Sequence, residues 1–353
     1  MKILLFSRYG TLGASSRLRS YQYLPALKRS GIEVTPQPLF DNTYLTGLYT
    51  GKRKNIPRII WAYFKRIREI IQSNRFDLIW IEKELFPWAP PWFESYLTRQ
   101  KVPFMVDYDD AIFHHYDLNN HYFLRRFLGR KIDRIMQKAR LVTAGNRYLA
   151  QRAARSGAGW IERIPTVIDL ERYRITPVKQ RTTFTIGWVG SPTTAVYLKL
   201  VEQALITFCR KHDARVVVIG AGNLNLSSEI PIDSLPWSED SEAASIAEFD
   251  VGIMPHPDTP WARGKCGYKL IQYMGCGRPV IASGVSADLD IIQDGETGFL
   301  VESETQWIDR LETLYDDRKL VSNMGKKGRK IAATRYCLQV MAPRLTSLIM
   351  QAA

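Results

Sequence analysis

Short apolar runs alternate along the chain with longer segments in which apolar residues recur every three or four positions. A short apolar run is typical of a buried strand, and the longer period is typical of a helix. Strands that alternate with helices form parallel sheets covered on both faces, so the pattern predicts an α/β protein. The predicted strands are residues 3–6, 32–34, 78–81, 104–107, 141–144, 185–189, 215–219, 251–254, 280–282 and 298–301.

Three helices are predicted in the first half of the chain. One spans residues 16–30 and ends at Gly31, because glycine favours the backbone conformation that stops a helix. The others span residues 55–71 and 123–140. We expect the helix at 55–71 to bury an apolar stripe. That stripe consists of Ile60, Phe64, Ile67 and Ile71.

The alternating pattern is interrupted by a polar stretch that contains Pro165 and Pro177. This stretch predicts two doubly wound, Rossmann-like domains, residues 1–170 and 171–337, with a helix at 338–353 that packs back on the first domain. Ligands of such sheets bind beyond the carboxyl ends of the strands. We therefore expect the two domains to face each other across a cleft that holds the ligand.

Charge is distributed unequally between the two halves. The 353 residues carry a formal net charge of +14, and residues 1–175 contain 30 Lys and Arg against 15 Asp and Glu. The rest of the chain contains 19 against 20. A basic half is typical of proteins that face nucleic acid, an anionic membrane or phosphorylated lipid, and composition alone leaves these partners open.

Two predicted helices carry much of this positive charge together with aromatic residues, which suits an anionic membrane leaflet. The basic residues in and before the first are Lys52, Arg53, Lys54, Arg58, Lys65 and Arg68, with Trp61 among them; those in the second are Arg125, Arg126, Arg130, Lys131, Arg134 and Lys138. No apolar run reaches the roughly 20 residues that span a bilayer. The sequence thus predicts a peripheral membrane protein.

The cysteines and the first residues bear on the compartment. Scattered thiols without close pairing predict a reducing compartment and no zinc site. Arg8 and Gly10 interrupt the first apolar run, which therefore predicts a strand rather than a signal peptide. A cytoplasmic location is expected. The cysteines are Cys209, Cys266, Cys276 and Cys337.

A cationic segment rich in glycine, residues 263–269, is the strongest candidate binding site. We predict that a helix begins near Cys266 and carries Lys265 and Lys269 on one face. The free amide groups and positive dipole of a helix N-terminus suit a phosphate. With Arg263 nearby, the segment is predicted to neutralise a diphosphate.

Four motifs in order resemble the large retaining glycosyltransferase group known as group 1 or family 4, which has the GT-B fold. They are IPTVID at 164–169, TIGWVGS at 185–191, the strand, loop and helix at 250–283 that ends in GRPVIAS, and DGETGFL at 294–300. The similarity extends over nearly the whole chain.

The resemblance implies a hexosyltransferase that moves a sugar from a nucleotide-diphosphate sugar, UDP- or GDP-linked, to a hydroxyl of a lipid-linked or polysaccharide acceptor. It implies retention of anomeric configuration and no metal or other cofactor. The first domain is expected to bind the acceptor and the second the donor. The donor residues implied are Gly13, Gly190, Ser191, Asp258, Arg263, Gly264, Lys265, Cys266, Gly267, Tyr268, Lys269 and Gln272.

Two positions depart from the family pattern, which has two glutamates eight positions apart in this segment. They are Gly264 and Gln272 here. The Gln272 amide can still hydrogen-bond a ribose, whereas Gly264 cannot replace a carboxylate. We expect Asp258 to supply the missing contact to the donor sugar.

Catalytic candidates follow the predicted strand at 104–107. Asp110 and His114 are preferred, with Asp109 next, and the alternative is that the aspartates cap a helix and the histidine is a surface residue. Arg17 and Glu84 are predicted to bind the acceptor. The sequence Asp-Tyr-Asp ending at Asp109 is formally a metal motif, but the diphosphate site is expected on the other domain, so no metal is predicted.

Two other functions remain open at this point. A sugar-nucleotide epimerase has the same fold, although the motifs of the second half are more similar to those of transferases. A nucleic-acid-binding protein would account for the basic half, although no nucleic-acid motif is evident.

Overall fold

The computed structural model describes residues 1–49, 55–175 and 183–353. Lys52, Arg53 and Lys54 of the predicted basic helix region and Pro177 of the predicted linker lie outside these residues. The chain divides into two compact units. The first comprises Met1–Thr166, Gly264–Cys266 and Met341–Ala353, and the second comprises Val167–Arg263 and Gly267–Val340.

The first unit is built on a parallel six-stranded sheet in the order β2-β1-β3-β4-β5-β6. Its strands are β1 (Lys2–Phe6), β2 (Glu33–Pro36), β3 (Leu78–Glu82), β4 (Phe104–Tyr108), β5 (Leu141–Ala144) and β6 (Ile161–Arg163). Its helices are α1 (Ala14–Arg19), α2 (Leu24–Arg29), α3 (Asn42–Tyr49), α4 (Ile56–Ile71), α5 (Trp92–Arg99), α6 (His114–Asp117), α7 (Tyr122–Leu128), α8 (Lys131–Lys138) and α9 (Arg147–Ser156). Short 3-10 turns lie at Tyr21–Tyr23 and Ser73–Arg75.

The second unit contains a parallel six-stranded sheet in the order β12-β11-β10-β7-β8-β9. Its strands are β7 (Phe184–Val189), β8 (Ala214–Ile219), β9 (Ile232–Leu235), β10 (Val251–Met254), β11 (Val280–Ser283) and β12 (Gly298–Val301). Its helices are α10 (Pro192–Ala195), α11 (Glu202–Lys211), α12 (Glu242–Ile246), α13 (Pro260–Arg263), α14 (Tyr268–Gly275), α15 (Ala287–Ile291), α16 (Glu304–Asp316) and α17 (Arg318–Arg335), with a 3-10 helix at Val196–Val201. The last helix, α18 (Leu338–Ala352), ends in the first unit.

The predicted fold class is confirmed by these two parallel sheets with flanking helices. The central strands β3, β4, β7 and β10 are buried along their whole length, as their apolar runs predict. The sequence did not predict β6 and β9. Both are edge strands that contain polar residues and have no buried position, so they lack the continuous apolar run of a central strand.

Two predicted helices are each divided in the structure. The segment 16–30 is wrong as one helix, because α1 ends before Ser20 and α2 starts afresh with Pro25 in its first turn, where a missing N–H costs nothing. Gly31 follows with a φ of 74°, as expected for a stop. The segment 123–140 is likewise divided between α7 and α8 at Gly129.

Helix α4 packs in the opposite sense to the prediction. Ile60, Phe64 and Ile71 are 64%, 60% and 56% exposed, so the predicted core stripe is wrong. Arg66 and Glu69 are buried instead. The Arg66 guanidinium donates to the carbonyl oxygens of Ser7, Gln37 and Leu85, just beyond β1, β2 and β3. These carbonyl partners favour a polar face of the helix against the sheet.

A buried ion pair joins α1 to the centre of the first sheet. Arg19 Nε and Nη2 donate to Asp107 Oδ2 and Oδ1 at 2.9 and 2.6 Å, and Arg19 Nη1 donates to the Ile164 carbonyl at 2.7 Å. Thr143 Oγ1 donates to Asp107 at 2.6 Å. Four segments of the unit therefore meet at one pair of opposite charges.

We expect Arg19→Met to lower the free energy of unfolding by about 3–5 kcal/mol, because it leaves the Asp107 carboxylate buried without its counter-ion. Urea unfolding followed by circular dichroism measures the change. Arg29→Met, which removes an exposed arginine from α2, is the matched control and should change stability little. Equal stability of the two variants would contradict this account of the pair.

Candidate functional site

The N-terminus of α14 lies at the carboxyl edge of the second sheet. The helix begins at Tyr268 after Gly267, whose φ of 63° is the left-handed conformation that glycine favours. The helix thus begins two residues after Cys266, close to the predicted start, but the prediction that Lys265 and Lys269 share one of its faces is wrong. Only Lys269 lies on the helix. An ideal Cβ on Gly267 would be 2.4 Å from Ile291, so the position also requires a small residue.

Lys269 points toward the end of β7. Its Nζ lies 4.1 Å from the centre of the Trp188 ring and 3.3 Å from Thr194 Oγ1. An ideal Cβ on Gly190 would be 2.7 Å from the same Nζ, so glycine leaves room for the ammonium group. Ser191 next to it caps α10, with its hydroxyl 2.9 Å from Thr193 Oγ1. A cation, an aromatic ring and a glycine thus share this edge.

Arg263 and Asp258 pair with each other on the surface of the second unit. Arg263 Nε and Nη2 donate to Asp258 Oδ1 and Oδ2 at 2.7 and 2.8 Å, in a bidentate geometry. Both side chains are about half exposed, and each partly neutralises the charge that the other would offer to a phosphate or a sugar.

Gln272 is buried, and its amide already has a partner. Its Nε2 donates to the Tyr173 hydroxyl at 2.8 Å, which in turn donates to Glu242 Oε1 at 2.5 Å. Trp237 Nε1 donates to the other oxygen of Glu242. This burial argues against the predicted ribose contact. It also gives a reason for an amide in place of a glutamate, which could not donate to Tyr173.

Residues Gly264–Cys266 belong to the first unit, where they pack against the carboxyl ends of β4 and β5. An ideal Cβ on Gly264 would be 2.4–2.5 Å from Ala111, so no larger side chain fits. Lys265 Nζ donates to Asp110 Oδ1 at 2.7 Å, and its carbonyl accepts from Asn146 Nδ2 at 2.8 Å. The glycine at the family's glutamate position therefore has a packing reason.

Cys266 completes this contact and is not accessible as a donor-binding group. Its Sγ lies 3.1 Å from the carbonyl oxygen of Asp109 and fills the space where an ideal Cβ on Gly145 would lie. Burial raises the pKa of this thiol, so it stays protonated.

Asp109 is a largely buried counter-ion, with its side chain 13% exposed. Its carboxylate accepts from Ser15 Oγ at 2.6 Å and lies 2.9 Å from Lys83 Nζ. Burial by itself raises the pKa of a carboxyl group, but Lys83 and Arg19 outweigh it and lower the pKa of Asp109 to about 2. Asp109 therefore stays ionised and serves structure first.

Asp110, the residue after it, is partly exposed and lies beside two lysines. Its side chain is 22% exposed and lies between two ammonium groups, Lys265 at 2.7 Å and Lys83 at 3.6 Å. Lys83 adopts a φ of 66°, which a non-glycine residue rarely does, and such strain is typical of functional loops. Of the two predicted catalytic carboxylates, Asp110 is the more exposed, at 22% against 13% for Asp109.

His114 has a partner on each ring nitrogen. Nδ1 lies 2.8 Å from Asp117 Oδ1, and Nε2 lies 2.8 Å from the Tyr148 hydroxyl. A proton-transfer role would require one of these bonds to break, which argues against the prediction.

Glu84 and Arg17, the predicted acceptor residues, differ in their surroundings. Glu84 is buried and accepts from the Tyr116 hydroxyl and Lys131 Nζ at 2.8 and 2.6 Å, which argues against a contact with an acceptor hydroxyl. Arg17 is half-buried, and its Nη1 lies 3.3 Å from the Thr11 carbonyl. Gly13 precedes α1, and an ideal Cβ there would be 2.5 Å from Tyr9.

Glu82 lies at the same edge, at the end of β3, and is not among the predicted site residues. Its Oε2 accepts from the Arg8 amide at 2.8 Å and from Ser16 Oγ at 2.6 Å, which fixes the loop after β1. Burial raises the pKa of Glu82 above its ordinary value. The signal in the sequence was a glutamate at the very end of a buried strand.

Within the described residues, no cluster of three or more His, Cys, Asp or Glu side chains is arranged to hold a metal ion. Over the same residues, no helix combines the length and the apolar character required to cross a bilayer.

Comparisons with known proteins bear on both units. Residues 183–317 match the family model described as "Glycosyl transferases group 1". The capsular polysaccharide biosynthesis glycosyltransferase CapM of Staphylococcus aureus is 24% identical over 176 residues, 47% of this chain and 45% of CapM. A D-inositol 3-phosphate glycosyltransferase of Paenarthrobacter aurescens is 39% identical over 79 residues, 22% of this chain and 18% of that protein. The chain thus spans less than half the length of these curated relatives.

Solved structures show the fold over nearly the whole chain. Anabaena HepE, solved with UDP and with UDP-glucose, is 15% identical to this chain with a TM-score of 0.73 for the UDP complex, covering 99% of this chain and 100% of HepE. Sucrose-phosphate synthase from Thermosynechococcus elongatus is 15% identical with a TM-score of 0.74, covering 99% and 98%. The resemblance to group 1 glycosyltransferases is thus confirmed over residues 183–317, which match that family's model.

Proposed function

We propose that this protein transfers a sugar from a nucleotide-diphosphate sugar, UDP- or GDP-linked, to a hydroxyl of a lipid-linked or polysaccharide acceptor. The observation that carries the proposal is Lys269, an ammonium group beside Gly190 and Trp188 at the carboxyl edge of the family-matched sheet. Ligands of doubly wound sheets bind at this edge, and a diphosphate requires a cation there.

The reaction requires few chemical groups from the protein. The bond from the anomeric carbon to the diphosphate oxygen breaks, and a bond to the acceptor oxygen forms on the same face, so the configuration is retained. The acceptor proton passes to the departing phosphate oxygen. Positive charge fixed near that oxygen stabilises the charge that develops there, and Lys269 supplies it without a metal or another cofactor.

Asp110 is our candidate for the group that contacts the reacting sugar or the acceptor hydroxyl. Two ammonium groups, Lys83 and Lys265, hold its carboxylate in one orientation at 3.6 and 2.7 Å. A carboxylate fixed in this way can accept a hydrogen bond from a substrate hydroxyl without reorganising.

The surface of the first unit supports action at the cytoplasmic face of an anionic membrane. Helix α4 exposes Trp61 and Phe64, and α7 exposes Phe123 and Phe127. Both helices also carry arginines, as Arg68 on α4 and Arg125 and Arg126 on α7. Exposed aromatic residues next to cations are typical of helices that lie in a membrane interface.

Lys269→Ala should weaken the binding of UDP or GDP at least about tenfold, because a charge-assisted contact to phosphate contributes roughly 1.5–3 kcal/mol. A thermal-shift screen of nucleoside diphosphates and nucleotide sugars identifies the ligand, and titration calorimetry measures its affinity. Lys319→Ala removes an exposed lysine from α17 and should bind like the parent. Equal affinities for the two variants would refute the phosphate assignment.

Asp110→Asn should lower turnover of the donor found in that screen by about a hundredfold or more, with little change in nucleotide affinity. A donor that contacts a preorganised carboxylate in the transition state loses that contact in the variant. Glu33→Gln, an exposed glutamate of β2, is the charge control. Analysis of the products with the donor alone also distinguishes transfer from epimerisation. Unchanged turnover in Asp110→Asn would remove Asp110 from the reaction.

Phe123→Ser combined with Phe127→Ser should reduce binding to vesicles of phosphatidylcholine and phosphatidylglycerol by roughly tenfold or more, since each buried aromatic side chain contributes about 1.5–3 kcal/mol. Co-sedimentation measures the bound fraction, which added salt should also lower. The double control is Val196→Ser with Leu289→Ser, two exposed apolar residues of the second unit. Binding that is independent of salt and of both phenylalanines would contradict the membrane role.

A further inference from the structure

The first unit contains a cavity of about 200 Å³ beside the carboxyl end of β2 and the buried side of α4. Its lining combines aromatic, basic and acidic side chains with the chain segment that follows β2. The lining residues that matter here are Phe40, Asp41, Tyr44, Arg58, Trp61, Lys65 and Arg66. None of the predicted site residues lines it.

Arg66 brings a buried positive charge to this cavity. Its guanidinium donates to the carbonyl oxygens of Ser7, Gln37 and Leu85, at 2.5, 2.7 and 3.1 Å. Among the described residues, no carboxylate lies within ion-pair distance of it. Burial lowers the pKa of Arg66 to about 9, an effect that Glu82 opposes from farther away. The buried cation therefore gains from an anion placed in the cavity.

The exposed side of the cavity adds more positive charge. Arg58 pairs with Asp41 at 2.5 Å, so these two lining charges cancel. Lys65 is exposed and, within the described part of the chain, has no hydrogen-bond or ion-pair partner. Glu69, the other carboxylate of the lining, lies 3.5 Å from Arg68 and 3.7 Å from Arg75. Lys65 and Arg66 therefore carry the remaining charge of the lining, which is positive.

Aromatic rings form the walls and extend beyond the cavity. Phe40 and Tyr44 stack with their ring centres 4.4 Å apart. Trp61 of α4 also lines the cavity and is 66% exposed, with Phe64 stacked beside it at 6.0 Å between ring centres. Ile60 continues the exposed apolar face of the helix. The cavity thus opens beside an uncovered apolar surface.

We propose that this cavity binds the phosphate-bearing head of a lipid acceptor, whose apolar chain lies on the exposed face of α4. The inference rests on the proposed function and names the substrate class of its acceptor. The cavity is smaller than the roughly 300–1,000 Å³ of pockets that enclose a drug-sized ligand, which suits a head group whose chain stays outside. Lys65 and Arg66 match the phosphate, and Trp61 and Phe64 match the chain.

The cavity is also connected to the candidate catalytic edge of the same unit. The Gly10 amide donates to the Phe40 carbonyl at 3.1 Å, and the Leu12 amide donates to Asn42 Oδ1 at 3.1 Å. The cavity wall is therefore continuous with the loop after β1. Ser15, just past that loop, bonds Asp109. A head group in the cavity would place the rest of the acceptor along the edge that carries Asp110.

Titration calorimetry with dodecyl phosphate, kept below its micelle concentration, tests this site on the full chain. We expect one molecule to bind per chain, and Lys65→Ala and Trp61→Ala each to weaken binding about fivefold or more. Lys28→Ala and Trp92→Ala, which remove an exposed lysine and an exposed tryptophan of the same unit outside the cavity, are the matched controls and should bind like the parent.

Inorganic phosphate and dodecyl maltoside distinguish the contribution of the phosphate group from that of the alkyl chain. Each should bind at least about tenfold more weakly than dodecyl phosphate. Equal binding of phosphate alone, equal binding of the maltoside, or indifference to both Lys65→Ala and Trp61→Ala would overturn the inference. Nucleotide binding is the independent readout, because Lys65→Ala should leave it unchanged. A chain that binds a nucleoside diphosphate but not dodecyl phosphate retains the proposed function and loses only this acceptor site.

Discussion

Buried charge at the carboxyl edge of the first sheet is the constraint on which the rest of this unit depends. Parallel strands direct all their carboxyl ends to one edge, and there the chain places several ionisable groups out of water. Each must find an opposite charge or a set of carbonyl groups. Arg19 pairs with Asp107, Lys83 with Asp109, and Lys131 with Glu84. A carboxylate that is paired in this way is not available to contact a substrate. Most acidic residues near the edge are therefore structural.

The sequence predicts the sheets well because a buried strand has few alternatives to a continuous apolar run. Edge strands such as β6 and β9 are not predicted in this way, because their polar side chains face solvent and interrupt the apolar run. Helix α4 shows where periodicity fails. Its isoleucines predict a buried stripe, yet three carbonyl groups distant in sequence bind Arg66 and the helix faces the other way. Local patterns carry no information on such partners.

The candidate site was predictable as a place but not residue by residue. The motif identifies the segment around α14, and Lys269 lies where a phosphate site would require it. Gly264 and Gln272 appear in the sequence as losses of two carboxylates. In the structure each has a partner that explains it, Ala111 against the glycine and Tyr173 at the amide. A residue that departs from a motif is therefore best explained by the atoms that surround it in the structure.

The exposed face of α4 and the charge of the first half are connected. A basic surface alone would suit nucleic acid as well as a membrane. Nucleic acid would favour a charged face, however, whereas α4 presents Trp61, Phe64 and Ile60 to solvent beside its cations. Leaving such a face uncovered in water costs free energy, which burial in an acyl layer or against a lipid chain recovers. The inverted packing of α4, which Arg66 stabilises from the buried side, therefore favours the proposed lipid partner over nucleic acid.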